Sequence, residues 1–443
     1  MIHPIEGRYG RTEVKDIFEE KNKLQRILDV EAALARAHAK VGNIPKSAAE
    51  VISEKVKANV VTVERVREIE AEINHDLMAI VKALSEQCGE DAGKYIHLGA
   101  TSNDIQDTAL ALQLRDFIKY LDNDLEKLKK ILLKLAGEHK NTVCIGRTHG
   151  QHAIPTTYGL KFAIFACEIQ RHIDRISECK KRIIVGQMTG AVGTQAAFGK
   201  HALEIQKLVM KDLKMESVMV SNQVIQRDRH AEFMLDLALI AESLNKIATE
   251  IRNLQRTEID EVSEGFGKKQ VGSSTMPQKR NPIIAECICG ISRVVRADAF
   301  ASLDNIPLWH ERDLTNSSAE RILIPESCIL TDYILNLTID LLSNLVFKFD
   351  NIERNLMMSE TIMAESIMIN LVEKGMGRQA AHELVRDCAM ESFSSGKTFK
   401  EVLTDNTQVR AFLSKGKIWD AINPKRYIGT AVEQVENVIE KLS

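Results

Sequence analysis

The chain has 443 residues, of which 44% are hydrophobic and 27% are charged, with a formal net charge of −3 at pH 7. This composition predicts a folded protein with a large core, and without a basic excess we expect no nucleic-acid partner. We find no apolar run near the roughly 18 residues that a membrane span needs, and no signal peptide. We therefore expect a cytoplasmic protein that contacts no membrane.

The predicted elements are mostly long helices, which the low content of eight prolines permits. Apolar residues spaced by threes and fours, together with helix start and stop signals, define them. The predicted helices cover residues 19–41, 104–136, 158–184, 227–261, 282–303 and 316–349. Pro325 falls inside the last of these and predicts a kink.

The helix over 227–261 has the most regular pattern. Its apolar positions alternate steps of four and three, as in the seam of a coiled-coil-like bundle; they are Phe233, Leu237, Ile240, Leu244, Ile247, Ile251 and Leu254. At 1.5 Å per residue, this helix is a rod of about 50 Å. Because strand signals are weak throughout, the predicted fold class is all-α, with a central bundle of long helices.

Changes in predicted helix length divide the chain into three domains. They are an N-terminal helical domain over 1–98, a central long-helix bundle over 99–349 and a C-terminal helical domain over 350–443. Apolar seams of this length often stay partly uncovered in a monomer, so we expect a homo-oligomer.

The eight cysteines lie scattered through these helical stretches. Cys287 and Cys289 are close in sequence, but no second cysteine pair or nearby histidine completes zinc spacing. We expect free thiols and no metal site.

The segment 272–282, GSSTMPQKRNP, has the composition of a catalytic loop. Asn281 and Pro282 form a helix start, so the positive end of the next helix points back at the loop. Lys279 and Arg280 add positive charge that favours a bound carboxylate and a serine alkoxide. The structural alternative is a solvated glycine-rich loop between two helices.

Two further polar stretches interrupt the helical pattern in the N-terminal third. His75 lies in Asn-His-Asp, which also reads as a solvated helix end. His97, Thr101 and Ser102 lie in YIHLGATSNDIQD, just before a helix whose N-cap is predicted to be Ser102 or Asn103. Hydroxyls and N–H groups at a helix start form either an anion cradle or an ordinary cap.

Two later stretches carry histidine or arginine beside hydroxyl groups. GRTHGQHAIPTT contains His149 and His152, and without a carboxylate to complete a metal site we expect an acid/base histidine. WHERDLTNSSAER places Arg312, Ser317 and Arg321 near a helix start, which suits a phosphate. Arg8 and Tyr9 add a guanidinium and an aromatic ring, so together these residues predict a phosphorylated, planar ligand.

The loop GSSTMPQKRNP resembles the GSSxMPxKxNP signature of the fumarase/aspartase superfamily. The stretches RTHGQHAIPTT, QRDRHAEF and WHERDLTNSSAER are similar to those of its adenylosuccinate lyase branch, and the similarity extends across essentially the whole chain. Argininosuccinate lyases share Gln278 and Lys279 but are not expected to carry WHERDLTNSSAER.

This resemblance implies a three-domain fumarase/aspartase-like fold and a homotetramer whose active sites are each built by three subunits. It implies β-elimination of fumarate from adenylosuccinate, giving AMP, and from the succinylated aminoimidazole carboxamide ribotide (SAICAR), giving AICAR, in purine biosynthesis. Such an elimination requires no cofactor and no metal, and we find no dinucleotide-binding or P-loop pattern.

The resemblance also implies residue roles. Ser273 would be the general base, His149 the general acid, and His75 a histidine that binds substrate and orients the acid. The residues expected to hold the succinyl carboxylates are Thr101, Ser102, Thr148, Gln223 and Lys279. Asn281 is also expected to bind substrate, and His97 is a further active-site histidine. The residues expected to bind the nucleotide are Arg8, Tyr9, Arg312, Ser317 and Arg321. Glu286 matches a family glutamate without an assigned role.

Two other hypotheses stay open at this point. A sibling lyase would act on argininosuccinate or a carboxymuconate. A non-catalytic oligomer would keep the fold but lose the loop serine or His149, and both are present. We also expect Gly265, Gly267 and Gly272 to serve as hinges for a loop over 261–281 that is mobile without ligand and closes over it.

Overall fold

The structure is a computed structural model that describes residues 3–267, 269–270 and 272–443. The chain forms two compact units, each built from three chain segments. The first comprises the segments ending at Glu126, Arg171–Asn245 and Ile288–Leu337; the second comprises Lys127–Gln170, Lys246–Cys287 and Thr338–Ser443. This division differs from the three consecutive domains expected from the sequence, which stay a prediction.

Helices dominate the described chain. In order, the α-helices are α1 Thr12–Phe18, α2 Glu20–Lys40, α3 Lys46–Lys57, α4 Val63–Ile73, α5 Asp76–Gly93, α6 Ser102–Glu138, α7 Tyr158–Ile183, α8 Ala202–Leu213, α9 Asp228–Leu254, α10 Ile283–Leu303, α11 Thr315–Ser343, α12 Phe349–Leu356, α13 Ala364–Glu373, α14 Arg378–Ser395, α15 Phe399–Asp405, α16 Thr407–Phe412, α17 Lys415–Ala421 and α18 Ala431–Leu442. Short 3₁₀ helices occur at Pro4–Glu6, Ala196–His201, Glu360–Met363 and Pro424–Arg426.

The strands are short and form three two-stranded ribbons. They are β1 Val143–Thr148, β2 Gln151–Thr157, β3 Val185–Gly186, β4 Glu216–Ser217, β5 Val262–Ser263 and β6 Val346–Phe347. β1 pairs with β2 and β5 with β6 antiparallel, and β3 pairs with β4 parallel. The prediction of an all-α protein is confirmed.

The predicted apolar seams are buried. In α9 all seven seam residues, from Phe233 to Leu254, are buried. In α2 the face formed by Leu24, Ile27, Leu28 and Leu34 packs into the core of the first unit. The core of the C-terminal segment is a separate cluster within the second unit, formed around Ile367, Leu371, Phe399, Leu403 and Ile418. Spacing alone therefore identified the core faces correctly.

Two predicted helix ends were wrong. α9 ends at Leu254 rather than 261, and α11 ends at Ser343 rather than 349. In the tail predicted for α11, Val346 and Phe347 form β6, which pairs with β5 just beyond the predicted end of α9. Asp260 has a φ of 50°, which a continuing helix would not allow.

Helix α11 bears on the expectation that no apolar run approaches the length of a membrane span. α11 is long and apolar enough by length and composition alone, but 61% of its most apolar window is buried inside the protein. Within it, Asp332 is almost fully buried and pairs with Arg11. This burial is that of a core helix.

Candidate active site

The predicted site residues divide between the two units. The first unit contains Arg8, Tyr9, His75, His97, Thr101, Ser102, Gln223, Arg312, Ser317 and Arg321; the second contains Thr148, His149, Ser273, Lys279, Asn281 and Glu286. The residues expected to transfer the two protons therefore lie in one unit, and most of those expected to bind substrate lie in the other.

His149 lies at the tip of a β-hairpin that was not predicted. Thr148 pairs with Gln151, so His149 and Gly150 form a two-residue turn between β1 and β2. Their φ angles are 54° and 74°, and two positive φ values in such a turn are typical of type I′. The usual sequence signal for this turn is Asn-Gly or Asp-Gly, so the pair His-Gly did not predict it. The turn exposes the imidazole.

A buried carboxylate holds this hairpin near its turn, through Arg147, and at its base, through Tyr158. Glu261 accepts hydrogen bonds from Arg147 Nη2 at 2.5 Å, Tyr158 Oη at 2.5 Å and Asn355 Nδ2 at 2.9 Å. Burial and the negative charge of Glu261 raise the pKa of Tyr158, so its phenol stays protonated and donates. Burial and the positive charge of Arg147 lower the pKa of His152, which favours its neutral form.

The signature loop distinguishes its two serines. Ser273 is half-buried, and its Oγ accepts hydrogen bonds from the backbone N–H of Met276 at 3.1 Å and of Thr275 at 3.4 Å. Ser274 is exposed, and its hydroxyl lies 3.5 Å from Thr275 Oγ1. Donors aimed at a hydroxyl oxygen favour its ionised form. The geometry therefore favours Ser273 over Ser274 as a base.

The two ends of the loop are tied together. Gln255 accepts from the backbone N–H of Glu264 at 2.9 Å and donates to the carbonyl of Arg280 at 3.1 Å. Asn281 Nδ2 donates to the carbonyl of Gly272 at 3.1 Å. A Cβ on Gly272 would lie 2.1 Å from the Lys279 carbonyl oxygen, so only glycine permits this close approach.

The helix that follows the loop starts differently from the prediction. α10 begins at Ile283, and the side chain of Asn281 donates to Gly272 instead of capping the helix. Glu264 supplies the cap: its carboxylate accepts from the N–H groups of Ile284 at 3.2 Å and Ala285 at 2.7 Å. Burial raises the pKa of Glu264 although these bonds oppose the shift. A carboxylate of the chain itself thus holds the positive helix end that we had expected to bind substrate.

In the first unit, the two predicted histidines have structural partners. His75 caps α5, since its Nδ1 accepts from the N–H of Met78 at 3.3 Å. His97 has a φ of 63° and pairs through Nδ1 with Glu31 at 2.7 Å. Burial opposes protonation of His97, but the hydrogen bond and charge of Glu31 outweigh it and raise the pKa of His97.

Thr101 and Ser102 lie at the start of α6, as expected, although the helix begins at Ser102 and the N-cap position is therefore Thr101. Asp104, which is fully buried, accepts from the backbone N–H groups of Thr101 at 3.0 Å, Thr189 at 2.7 Å and Gly190 at 2.9 Å. It fixes the segment that carries both hydroxyls.

The predicted phosphate-binding arginines already have partners in the chain. Arg321 Nη2 donates to Asp76 at 2.5 Å, and Arg312 Nη1 donates to Gln223 Oε1 at 2.7 Å. The Gln223 amide also donates to the carbonyl of Ala191 at 2.7 Å, which fixes its orientation. A bound anion must therefore compete with Asp76 for Arg321.

The N-terminal segment is held close to the start of the chain's first helix. Arg8 lies over the ring of Tyr9 at 5.9 Å, and Tyr9 contacts Tyr333 with ring centroids 5.3 Å apart. Arg11 pairs with both Asp332 and Asp124. These contacts fix the segment that carries the predicted nucleotide-binding residues Arg8 and Tyr9.

Sequence reasoning missed the buried carboxylates that hold these segments, which are Glu31, Asp104, Glu261 and Glu264. A single sequence gives little signal for them, because their partners lie up to 114 residues away in the chain. Within residues 3–267, 269–270 and 272–443, no cluster of three or more histidine, cysteine or acidic side chains is arranged to hold a metal ion.

Comparisons with known proteins agree with this fold. A family model described as "Lyase" matches residues 7–297, and one described as "Adenylosuccinate lyase C-terminus" matches residues 360–438. Solved structures with similar folds include a fumarate lyase from Mesorhizobium sp. BNC1, with a TM-score of 0.91 and 32% identity, covering 98% of this chain and 99% of that chain. A 3-carboxy-cis,cis-muconate lactonizing enzyme from Pseudomonas putida has a TM-score of 0.89 and 32% identity, covering 98% of this chain and 97% of that chain. The fold is thus that of the all-α fumarase/aspartase class of lyases.

Relatives with high sequence similarity identify the family within this class of lyases. The chain is 57% identical to an adenylosuccinate lyase of Pyrococcus abyssi, over 99% of this chain and 97% of the relative. It is 54% identical to an adenylosuccinate lyase of Methanocaldococcus jannaschii, over 100% of this chain and 96% of the relative. The chain belongs to the adenylosuccinate lyase family.

Proposed function

We propose that this protein releases fumarate by β-elimination from adenylosuccinate, giving AMP, and from SAICAR, giving AICAR, in purine biosynthesis. Relatives named adenylosuccinate lyase are 54% to 57% identical to it over almost the whole chain. The structural observation that carries the proposal is the signature loop, in which two backbone N–H groups donate to Ser273 Oγ.

The chemistry requires two proton transfers on either side of one bond cleavage. Ser273 takes a proton from the carbon next to a succinyl carboxylate, and the released electron pair forms the double bond of fumarate. The carbon–nitrogen bond breaks, its electrons pass to the nitrogen, and His149 donates the proton that this nitrogen requires. The N–H groups of Thr275 and Met276 favour the Ser273 alkoxide, which explains how a hydroxyl serves as a base.

Charged and polar side chains hold the substrate by its two anionic ends. The succinyl carboxylates bind Thr101, Ser102, Thr148, Gln223 and Lys279, and Asn281 also binds substrate. The nucleotide binds Arg8, Tyr9, Arg312, Ser317 and Arg321, with its phosphate on the arginines. The bond between Arg312 and Gln223 joins a residue of each set, which supports the proposal that the two sets are adjacent. His75 and His97 complete the site.

We propose that the protein is a cytoplasmic homotetramer with three domains per chain and active sites shared between subunits. Exposed large hydrophobic side chains on four of the long helices support an oligomer; they include Ile164 on α7, Leu239 on α9, Phe300 on α10 and Ile322 on α11. Light scattering should give four times the chain mass. A monomer that is fully active would contradict shared sites.

The activity is tested by incubating the purified protein with adenylosuccinate or SAICAR and measuring fumarate together with AMP or AICAR. Equal molar release of both products is expected. Shared sites are tested by mixing the inactive variants Ser273→Ala and His149→Ala under conditions of subunit exchange. Recovery of part of the activity is expected, and no recovery after proven exchange would contradict sites built by several subunits.

The alternative is a sibling lyase, which the similarity to a fumarate lyase and to a muconate lactonizing enzyme favours. It predicts turnover of argininosuccinate or a carboxymuconate and none of adenylosuccinate. The same purified sample, assayed with all four compounds, separates the two hypotheses.

A further inference from the structure

We propose that Glu261 is a positioning residue that fixes the orientation of the hairpin carrying His149 and the start of the segment carrying Ser273. This inference rests on the proposed function, because it assigns the two proton-transfer roles to those residues. It concerns a residue that contacts no reacting group in the proposed mechanism.

The backbone of Glu261 is fixed from both directions. Its N–H donates to the carbonyl of Leu254 at 3.0 Å, and its own carbonyl accepts from the N–H of Lys348 at 2.9 Å. Leu254 is the last residue of α9, and Lys348 follows β6. These two hydrogen bonds therefore fix the backbone position of Glu261 at the start of the segment that leads into the signature loop.

The side chain of Glu261 holds both strands of the hairpin. Arg147 belongs to β1 and lies two residues before His149, whereas Tyr158 directly follows β2. Both donate to the Glu261 carboxylate at 2.5 Å, and Asn355 donates as well. Since His149 lies on an exposed turn, the contacts of Glu261 with Arg147 near that turn and with Tyr158 at the base of the hairpin determine where the imidazole points.

Because Glu261 is buried, its carboxylate depends on its hydrogen-bond donors. Glu261 is only 1% exposed, and a buried carboxylate is tolerated when cationic and hydrogen-bonding partners satisfy it. A glutamine at this position would lose the charge attraction of Arg147 and turn an amide N–H toward one of the three donors. The resulting repulsion would shift the hairpin, and a displacement of about 1 Å at a reacting group costs roughly 100-fold in rate.

The test uses Glu261→Gln in the full-length enzyme, with adenylosuccinate as substrate. We expect kcat to fall 10- to 100-fold, KM to stay within about threefold, and the solvent deuterium isotope effect on kcat to rise as proton donation becomes limiting. Asp260→Asn is the matched control. Asp260 is the neighbouring residue and accepts hydrogen bonds from Lys348 and Asn351 rather than from the hairpin.

The outcomes separate this proposal from the proposed function. If the wild-type protein releases no fumarate from adenylosuccinate, the proposed function fails. If the wild type is active and Glu261→Gln keeps kcat within twofold, or loses no more activity than Asp260→Asn, the positioning role is wrong.

A second variant decides the case in which Glu261→Gln does not fold. Tyr158→Phe removes one donor to Glu261 and retains the ring. A fall in kcat of threefold or more with unchanged KM and unchanged melting temperature supports the proposal. An unchanged kcat in a folded Tyr158→Phe enzyme overturns it.

Discussion

The two units hold their predicted site residues in different ways. In the first unit, binding residues are already paired within the chain, as in Arg321 with Asp76 and His97 with Glu31. In the second unit, His149 is exposed on a turn and Ser273 lies in an irregular loop, and buried carboxylates hold the ends of both segments. In the first unit, a ligand must compete with residues of the chain for contacts to the binding residues. In the second unit, the reacting side chains stay accessible, while buried carboxylates fix the segments that carry them.

Substitution of the proton-transfer residues should give the largest effect. We expect Ser273→Ala and His149→Ala each to lower kcat by at least about 1,000-fold, because each removes one of the two proton transfers. KM and melting temperature should change little, since neither residue contributes to a core. Steady-state kinetics and thermal unfolding check this.

Ser274→Ala is the matched control for the loop. Its side chain is exposed and its hydroxyl lies 3.5 Å from Thr275 Oγ1, so we expect activity within about threefold of wild type. If Ser274→Ala were inactive and Ser273→Ala active, the assignment of the base would be reversed.

Loss of a paired arginine in the first unit should mainly weaken binding. Arg321→Met removes a charged contact to phosphate, which is worth roughly 1.5 to 3 kcal/mol. We therefore expect kcat/KM to fall about 10- to 100-fold, and titration with AMP should show a matching loss of affinity. Arg65→Met, which breaks an exposed ion pair with Glu86 in the same unit, should bind AMP normally. Equal losses in both variants would contradict a phosphate contact at Arg321.

A buried carboxylate that accepts from a neutral hydroxyl should make the stability of the first unit depend on pH. Asp298 accepts from Ser327 Oγ at 2.9 Å, and burial raises its pKa from 3.8 to about 6. The folded state therefore binds this proton more tightly than the unfolded state. The contribution of protonated Asp298 to the free energy of unfolding is fully present below about pH 4 and is lost as the pH rises through about 6.

The expected loss between pH 4 and pH 7 is about 1 to 3 kcal/mol in the free energy of unfolding. Urea unfolding of wild type and of Asp298→Asn at both pH values measures it. The variant should lack this part of the pH dependence. Identical pH dependence in the two proteins would show that Asp298 does not titrate in this range.

The smallest effect is expected at the start of α10. Glu264→Gln keeps the shape of the cap but weakens it, which should lower the free energy of unfolding by about 1 kcal/mol. Glu258→Gln, at an exposed neighbour of Arg256, is the control and should be neutral. If both were neutral, the carboxylate would not support the loop.

The sequence predicted features that depend on local spacing. The buried seam of α9 followed from periodicity, and the start of α6 was predicted to within two residues, although its N-cap position is Thr101 rather than Ser102 or Asn103. The ends of α9 and α11 were missed because β5 and β6 pair across more than eighty residues of sequence. Tertiary contacts of this kind override the helical preference of each tail alone.

The same limit applies to the site. The signature loop and the His-Gly stretch were recognised by residue type and by resemblance, but the hairpin was not, since its turn lacks the usual Asn-Gly pair. Asn281 was expected to cap α10 because it precedes Pro282. Instead, the cap is the carboxylate of Glu264, which lies seventeen positions before Asn281. A carboxylate that acts across a loop leaves no pattern in a single sequence.

The turn that contains His149 lowers thermal stability while it presents a side chain that activity requires. Histidine adopts the left-handed conformation, here with a φ of 54°, at a cost of roughly 1 to 2 kcal/mol relative to glycine. A glycine or asparagine at this position should give a more heat-resistant but inactive protein. Laboratory evolution for thermal tolerance alone would therefore discard this side chain, and only a screen that also demands turnover would retain it.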